Sequence, residues 1–285
     1  RRETVAALEW AKAKNEHRKL EYFLAQNYIA VGKIEEGEQL LRDCNNEPDS
    51  DVFYRFRAKM LSDDAFKTRE KDYEKAMSLN KTDWKLHDEF IQFYLGNSKF
   101  EEARKLSSNS YKKFPKNSNI GLGYAKALLK VGEYDKSISA LKKLKILPFE
   151  HASESKDIYT KSHVLLAYKK MESKKYKTAI QLLENSKKWP ENLGVGAPYE
   201  PDNRMQDYLL SQCYKKLGDT NKSDERLNKV VEYNTDPKEL KGRQHLFGLL
   251  ALKKTLKSKE QQSFVEALSK KKNNFWAQTA LAFFN

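Results

Sequence analysis

Residues 122–144 read LGYAKALLKVGEYDKSISALKKL, and the placement of apolar side chains in this stretch decides the fold. Leu122, Ala125, Leu128 and Leu129, then Tyr134, Ile138, Leu141 and Leu144, fall three and four residues apart, the spacing of one apolar face of a helix. Val131-Gly132-Glu133 interrupts the run. A glycine there lets the chain leave the first helix through the left-handed region, and the small Ser137 lets the second helix lie close to the first. The segment predicts helix, tight turn, helix.

The same pattern recurs on both sides. It appears at Tyr28, Gly32, Ile34, Gly37 and Leu41, and at Tyr94, Ser98, Phe100, Ala103 and Leu106. It returns at Ala167, Lys174, Tyr176, Ala179 and Leu183, and at Tyr214, Gly218, Thr220, Ser223 and Leu227. Counted at the small position of the second helix, the units fall at Gly37, Arg69, Ala103, Ser137, Ala179 and Ser223, with spacings of 32, 34, 34, 42 and 44. A period near 34 is that of stacked helix-turn-helix units, each burying its apolar face against the next. Arg69 puts a bulky cation where a small residue is usual, so that unit reads as degenerate. Pro48, Pro115, Pro148, Pro190 and Pro237 close several units.

Residues 1–285 therefore read as one array, with a first helix near Val5, Leu8 and Trp10 and two insertions, at 149–157 and 189–203. The first is expected to be a polar loop before a helix beginning near Ile158. The second, Trp189-Pro-Glu-Asn-Leu-Gly-Val-Gly-Ala-Pro-Tyr-Glu-Pro-Asp-Asn203, holds five of the chain's 18 Gly and Pro and predicts a defined loop. Beyond it, residues 238–285 keep helical spacing in degenerate form, one further pair and a closing helix that carries Phe275, Trp276, Leu281 and Phe284.

These units resemble the tetratricopeptide repeat, over most of the chain. The resemblance implies an all-α fold, a right-handed α-solenoid of about seven helix pairs, acting as a non-catalytic scaffold that binds a protein segment in its concave groove. Leu147-Pro-Phe-Glu150, Trp189-Pro-Glu-Asn-Leu-Gly-Val-Gly196 and Pro201-Asp-Asn-Arg204 further resemble the C-terminal repeats of large bacterial proteins. Those proteins begin with a mutarotase-like domain of unknown function. That likeness implies a setting in bacterial sugar metabolism and transfers no activity. It makes the parent's own N-terminal domain a second candidate partner and carbohydrate a third. Since residue 1 is Arg, the chain is expected to be a fragment or processed product.

In such an array the first helix of each pair lines the groove. Register places Tyr22, Gln26, Asp88, Gln92, Lys126, Tyr168, Tyr208 and Gln212 there, with Leu122 and Val164. Aromatic and amide groups suit a peptide, a docked helix or a sugar ring. The plainer reading is that Tyr22, Tyr168 and Tyr208 pack between neighbouring helices. Leu122 and Tyr208 stand where a carboxylate clamp would want a cation or amide, which argues against a receptor for chaperone tails. In the second insertion, Asn192, Tyr199, Asp202 and Arg204 are candidate contact residues. The plainer alternative has Leu193 and Val195 plugging a gap and Asp202 capping the next helix.

Charge and chemistry narrow the classes. The chain holds 54 Lys and Arg against 40 Asp and Glu, a net charge of +14. Only 11 of the cations are arginine, the residue phosphate recognition favours, so nucleic acid is disfavoured and lysine-rich stretches 169–188 and 253–272 read as solvated helix faces. No metal-ligand spacing, phosphate loop or nucleophile motif occurs, and neither enzymatic activity nor a cofactor is expected. No apolar run approaches the roughly 18 residues of a membrane span. Cys44 and Cys213 read as buried free thiols, a usage that suits a reducing compartment, and a cytoplasmic location is the expectation, although the start of this chain says little about the parent protein.

Overall fold

The computed structural model describes residues 2–14, 20–43, 49–148, 153–233, 243–255 and 257–284. Cys44, Pro48, Pro237, residues 149–152 of the first insertion and residues 238–242 of the C-terminal region lie outside them. Among the described residues regular structure is entirely helical. After α1 (Arg2–Lys14) come seven antiparallel hairpins and a last helix. The hairpins are α2 (Leu20–Ala30) with α3 (Ile34–Arg42), α4 (Asp51–Met60) with α5 (Phe66–Leu79) and α6 (Trp84–Gly96) with α7 (Phe100–Lys113). Then follow α8 (Ser118–Lys130) with α9 (Tyr134–Leu141), α10 (Glu154–Glu172) with α11 (Tyr176–Ser186) and α12 (Arg204–Lys216) with α13 (Thr220–Glu232). The last pair is α14 (His245–Lys254) with α15 (Ser258–Lys270), and α16 (Phe275–Phe284) closes the series. The fold is the α-solenoid class built from tetratricopeptide-type hairpins. The chain divides into two compact units, residues 1–123 and 124–285.

Five hairpin turns are made the same way. Gly32, Ser98, Gly132, Lys174 and Gly218 all take positive φ, between 57° and 88°. At each, the next residue's N–H reaches back to the carbonyl five positions earlier, as in Glu133 N to Leu128 O at 2.9 Å and Lys175 N to Lys170 O at 2.8 Å. The turn thereby satisfies carbonyls that the helix end leaves without a partner.

The small position of the second helix is equally regular. A Cβ on Gly37 would stand 2.7 Å from Ile29 Cγ1 and 3.0 Å from the Ala25 carbonyl, so only glycine lets α3 approach α2 this closely. In the α8–α9 hairpin Ser137 donates to the Ala125 carbonyl at 2.8 Å. Arg69 makes the corresponding bond, its Nε donating to the Ala58 carbonyl at 2.8 Å while the guanidinium stacks 5.0 Å from the Phe93 ring. The unit that reads as degenerate is thus a full hairpin, with a longer side chain lying along the contact.

In the first unit Ala25, Leu41, Leu61 and Ala65 form one core cluster, and Phe66, Tyr73, Phe90, Phe93 and Tyr94 stack in another. In the second, Val164, Ala167, Ala179, Leu183, Leu210 and Cys213 pack α10 to α12, and Leu249, Leu252, Phe264, Leu268 and Ala280 pack α14 to α16. Cys213 is buried as a free thiol.

The first insertion needs a correction. The helix expected to begin near Ile158 begins at Glu154, because Glu154 and Asp157 place acidic charge in a first turn where the helix dipole favours it. The 19-residue α10 therefore carries an extra turn holding Lys156 and Asp157. The second insertion is a loop with one 3-10 turn, Glu191–Leu193.

Candidate functional site

The second insertion is fastened at both ends. At its start, the Asn192 side-chain amide donates to the Leu141 and Leu144 carbonyls at 3.0 and 2.9 Å, and its own carbonyl accepts from Ile146 N at 2.9 Å. Ser155 donates to the Leu193 carbonyl at 2.8 Å, and Leu193 is buried. Gly194 sits at φ +67°, where an added Cβ would fall 2.6 Å from the Ile146 carbonyl. At its end, Asp202 takes Arg204 Nε and Nη2, both at 2.8 Å. Asp202 also accepts the main-chain N–H of Arg243 and Gln244, at 3.1 and 3.3 Å. Burial works against the Asp202 carboxylate, yet the Arg204 hydrogen bonds and charge hold it below the ordinary range. Asp202 acts as a clamp to the start of α14 more than as a cap, since Asn203 occupies the N-cap position of α12.

Between these fastenings the second unit holds a cleft of about 650 Å³. Lys156, Asp157, Thr160 and Lys161 of α10 line it on one side, and Leu246, Phe247 of α14 with Trp276, Thr279, Ala280 and Phe283 of α16 on the other. Met205 and Gln206 of α12 lie between, and Trp189, Pro198, Pro201, Asp202 and Asn203 bring the insertion to its rim. Every helix that contributes is the first of its hairpin or the last helix of the series. The volume is that of a typical ligand site.

Two buried polar groups stand at this cleft. Lys156 is only 7% exposed, its Nζ donating to Thr160 Oγ1 at 2.9 Å and to the Ser186 carbonyl at 2.7 Å and lying 4.7 Å from the Trp189 ring centre. Burial pushes its ammonium pKa down to about 8. Gln206 is 3% exposed, and its side-chain Oε1 has no hydrogen-bond partner among the described residues. An orphaned acceptor of this kind is costly unless something donates to it.

The residues singled out in the sequence are distributed as follows. Tyr22, buried against Phe53 and Phe56, accepts from Gln26 at 2.7 Å, and Asp88 accepts from the exposed Gln92 at 3.2 Å; all four lie in the first unit. In the second, Lys126 pairs with Glu154 at 2.6 Å, and Tyr168 is exposed. Tyr208 and Gln212 meet at Lys254, whose Nζ lies 4.8 Å over the Tyr208 ring and 2.5 Å from Gln212 Oε1. Of the loop candidates, Asp202 lines the cleft, Asn192 and the buried Arg204 are engaged internally, and Tyr199 is 99% exposed at the tip. Lys156, Gln206, Phe247, Trp276 and Phe283 were not anticipated. Lys156 and Gln206 fall outside the groove positions that register gives, and Trp276 and Phe283 lie in a helix where the repeat pattern has faded.

Residues 94–147 match the tetratricopeptide repeat family model. Among solved structures, the chain is similar to the C-terminal part of a TPR repeat-containing protein from Cytophaga hutchinsonii, at 14% identity over 84% of this chain and 91% of that one, TM-score 0.57. It is also similar to a chain of the Naa15/Naa10 structure bound to HypK-THB, at 13% identity over 98% of this chain and 51% of that one, TM-score 0.56. Likeness at these identities shows the fold. Among curated proteins none matches the sequence. Among the described residues no helix is long and apolar enough to cross a membrane.

Proposed function

We propose that the chain is a non-catalytic interaction module that holds a segment of a protein partner in the cleft of its second unit. The observation that carries this reading is the cleft itself, an apolar trough of about 650 Å³ with an unused buried amide carbonyl at Gln206. The family match over residues 94–147 supports it, and the Naa15/Naa10 neighbour is itself a protein assembly. Exposed Lys161 and Phe283 rim the cleft and can be changed without disturbing the core. A partner captured from a lysate of the source organism, and cross-linked to the rim, is expected to be lost when Lys161→Glu and Phe283→Asp are introduced together. Retention by the double variant sinks the reading.

A second reading, carbohydrate binding, draws on Trp189 and Trp276 at the same cleft. Lys156 already covers one ring of the pair, at 4.7 Å from Trp189, which leaves less flat surface for a sugar. Calorimetric titration with mono- and oligosaccharides decides it, the absence of heat counting against sugar.

A further inference from the structure

We infer that the occupant of this cleft is a short, extended peptide segment that carries acidic residues beside an apolar one. The inference rests on the interaction-module reading above and specifies its partner by charge and shape.

Charge is the first argument. Three cations line the cleft, Lys156, Lys161 and Arg243, against two carboxylates, Asp157 and Asp202. Asp202 is already committed to Arg204 and to two main-chain N–H groups. Only Asp157 is left to offset three cations. Lys156 in particular holds its charge among a hydroxyl, a carbonyl and aromatic rings, with no carboxylate within ion-pair distance among the described residues. A buried charge without a counterion is expensive, and an incoming carboxylate offsets that cost. The first turns of α10, α12 and α14 also meet at the cleft, and their N-terminal partial charges add to the same field.

Shape and hydrogen bonding supply the second. The cations lie on the α10 side and at Arg243, while Leu246, Phe247, Trp276 and Phe283 form the facing wall. The two sides call for different side chains on one ligand. Gln206 Oε1 lacks a donor among the described residues. A main-chain N–H of a bound peptide can supply one.

The test is a selection of random twelve-residue peptides displayed on phage against the full chain. Dissociation constants for the enriched peptides are then measured by fluorescence polarisation. The enriched set is expected to carry net negative charge with at least one Leu, Ile, Phe or Met. Lys161→Glu with Arg243→Glu should weaken those peptides at least tenfold, and Lys177→Glu, the same charge change on exposed α11, less than twofold. Gln206→Leu should weaken them about fivefold or more while leaving thermal stability equal or higher, since it removes an unsatisfied buried acceptor. A merely structural glutamine would lower stability and leave affinity alone. Neutral or basic peptides that still depend on Lys161 and Arg243 would overturn the acidic assignment and leave the module reading standing. No enrichment, or peptides indifferent to the cleft variants, would overturn both. Displacement of the peptides by a single-stranded 20-nucleotide DNA at equal or lower concentration would overturn the peptide assignment in favour of a polyanion site.

Discussion

Arg57 and Asp72 face each other across the α4–α5 hairpin as a buried bidentate ion pair, Nε to Oδ2 at 2.8 Å and Nη2 to Oδ1 at 2.7 Å, with 7% and 2% of each residue exposed. The guanidinium also lies 5.0 Å from the Phe53 ring centre and 5.7 Å from that of Tyr54. Removing one member leaves the other charge in a site that water does not reach. Asp72→Ala is expected to cost about 3–5 kcal/mol in urea unfolding. Arg57→Met with Asp72→Leu should recover most of that loss, because no charge then remains to be buried. A double variant as unstable as the single one would mean that the pair is needed for packing rather than for charge balance.

The turn residues allow a stabilising change. Ser98 and Lys174 hold the left-handed conformation, each at φ 57°, that Gly32, Gly132 and Gly218 hold at equivalent turns. A side chain costs roughly 1–2 kcal/mol there, partly offset by glycine's extra freedom in the unfolded chain. Lys174→Gly is expected to raise stability by about 0.5–1 kcal/mol, visible as a higher thermal midpoint. Gly132→Ala should lower it by about 1 kcal/mol. Equal midpoints for Lys174→Gly and the native chain would show that the backbone there carries no strain.

These turns also show how much the sequence disclosed. Gly132 and Ser137 suffice to set one hairpin, because a left-handed turn and a close helix contact each admit few residue types, and the register then carries the pattern to Ser98 and Lys174. Arg69 escaped that logic: a long side chain meets the same carbonyl that a small residue's hydroxyl meets elsewhere, and composition at one position does not reveal it. The cleft escaped for two further reasons. Lys156 depends on where α10 begins, and helix ends are set by the balance of capping and first-turn charge rather than by periodicity. Trp276 and Phe283 come from α16, where the repeat signature has faded, so nothing in their local pattern ties them to residues over 70 positions earlier.

The insertion depends on two contacts that substitutions can separate. Asn192→Ala would take the donor from the Leu144 carbonyl and leave that of Leu141 with only the Leu144 main-chain N–H at 3.2 Å, and is expected to cost about 1–3 kcal/mol. Gly194→Ala would press a methyl group to 2.6 Å from the Ile146 carbonyl and add strain at φ +67°, so its cost should be larger. Limited proteolysis reads the local effect: cleavage near Tyr199 should accelerate in both variants before global unfolding does. Unchanged cleavage in Gly194→Ala would show that the loop does not depend on this approach to Ile146.

Acid stability should depend on His245. The ring is fully buried, Arg204 Nη1 stands 3.4 Å from its Nδ1, and burial together with that positive charge pushes its pKa down to about 4. Burial also lowers His87 and His163. A lowered histidine pKa means that the unfolded chain takes up a proton first, so stability is full above pH 6.5 and falls as pH drops from there toward 4. Asp202, held below the ordinary carboxylate range, stays ionised through this window, and its contribution is lost only at lower pH. Urea unfolding between pH 7.5 and 4.5 is therefore expected to show a loss on the order of 2 kcal/mol from His245, with less from the other two. His245→Gln, which keeps a polar side chain beside Arg204 but does not titrate, should have a shallower pH dependence even if it starts less stable. Parallel curves for the two proteins would remove His245 as the source of the acid limb.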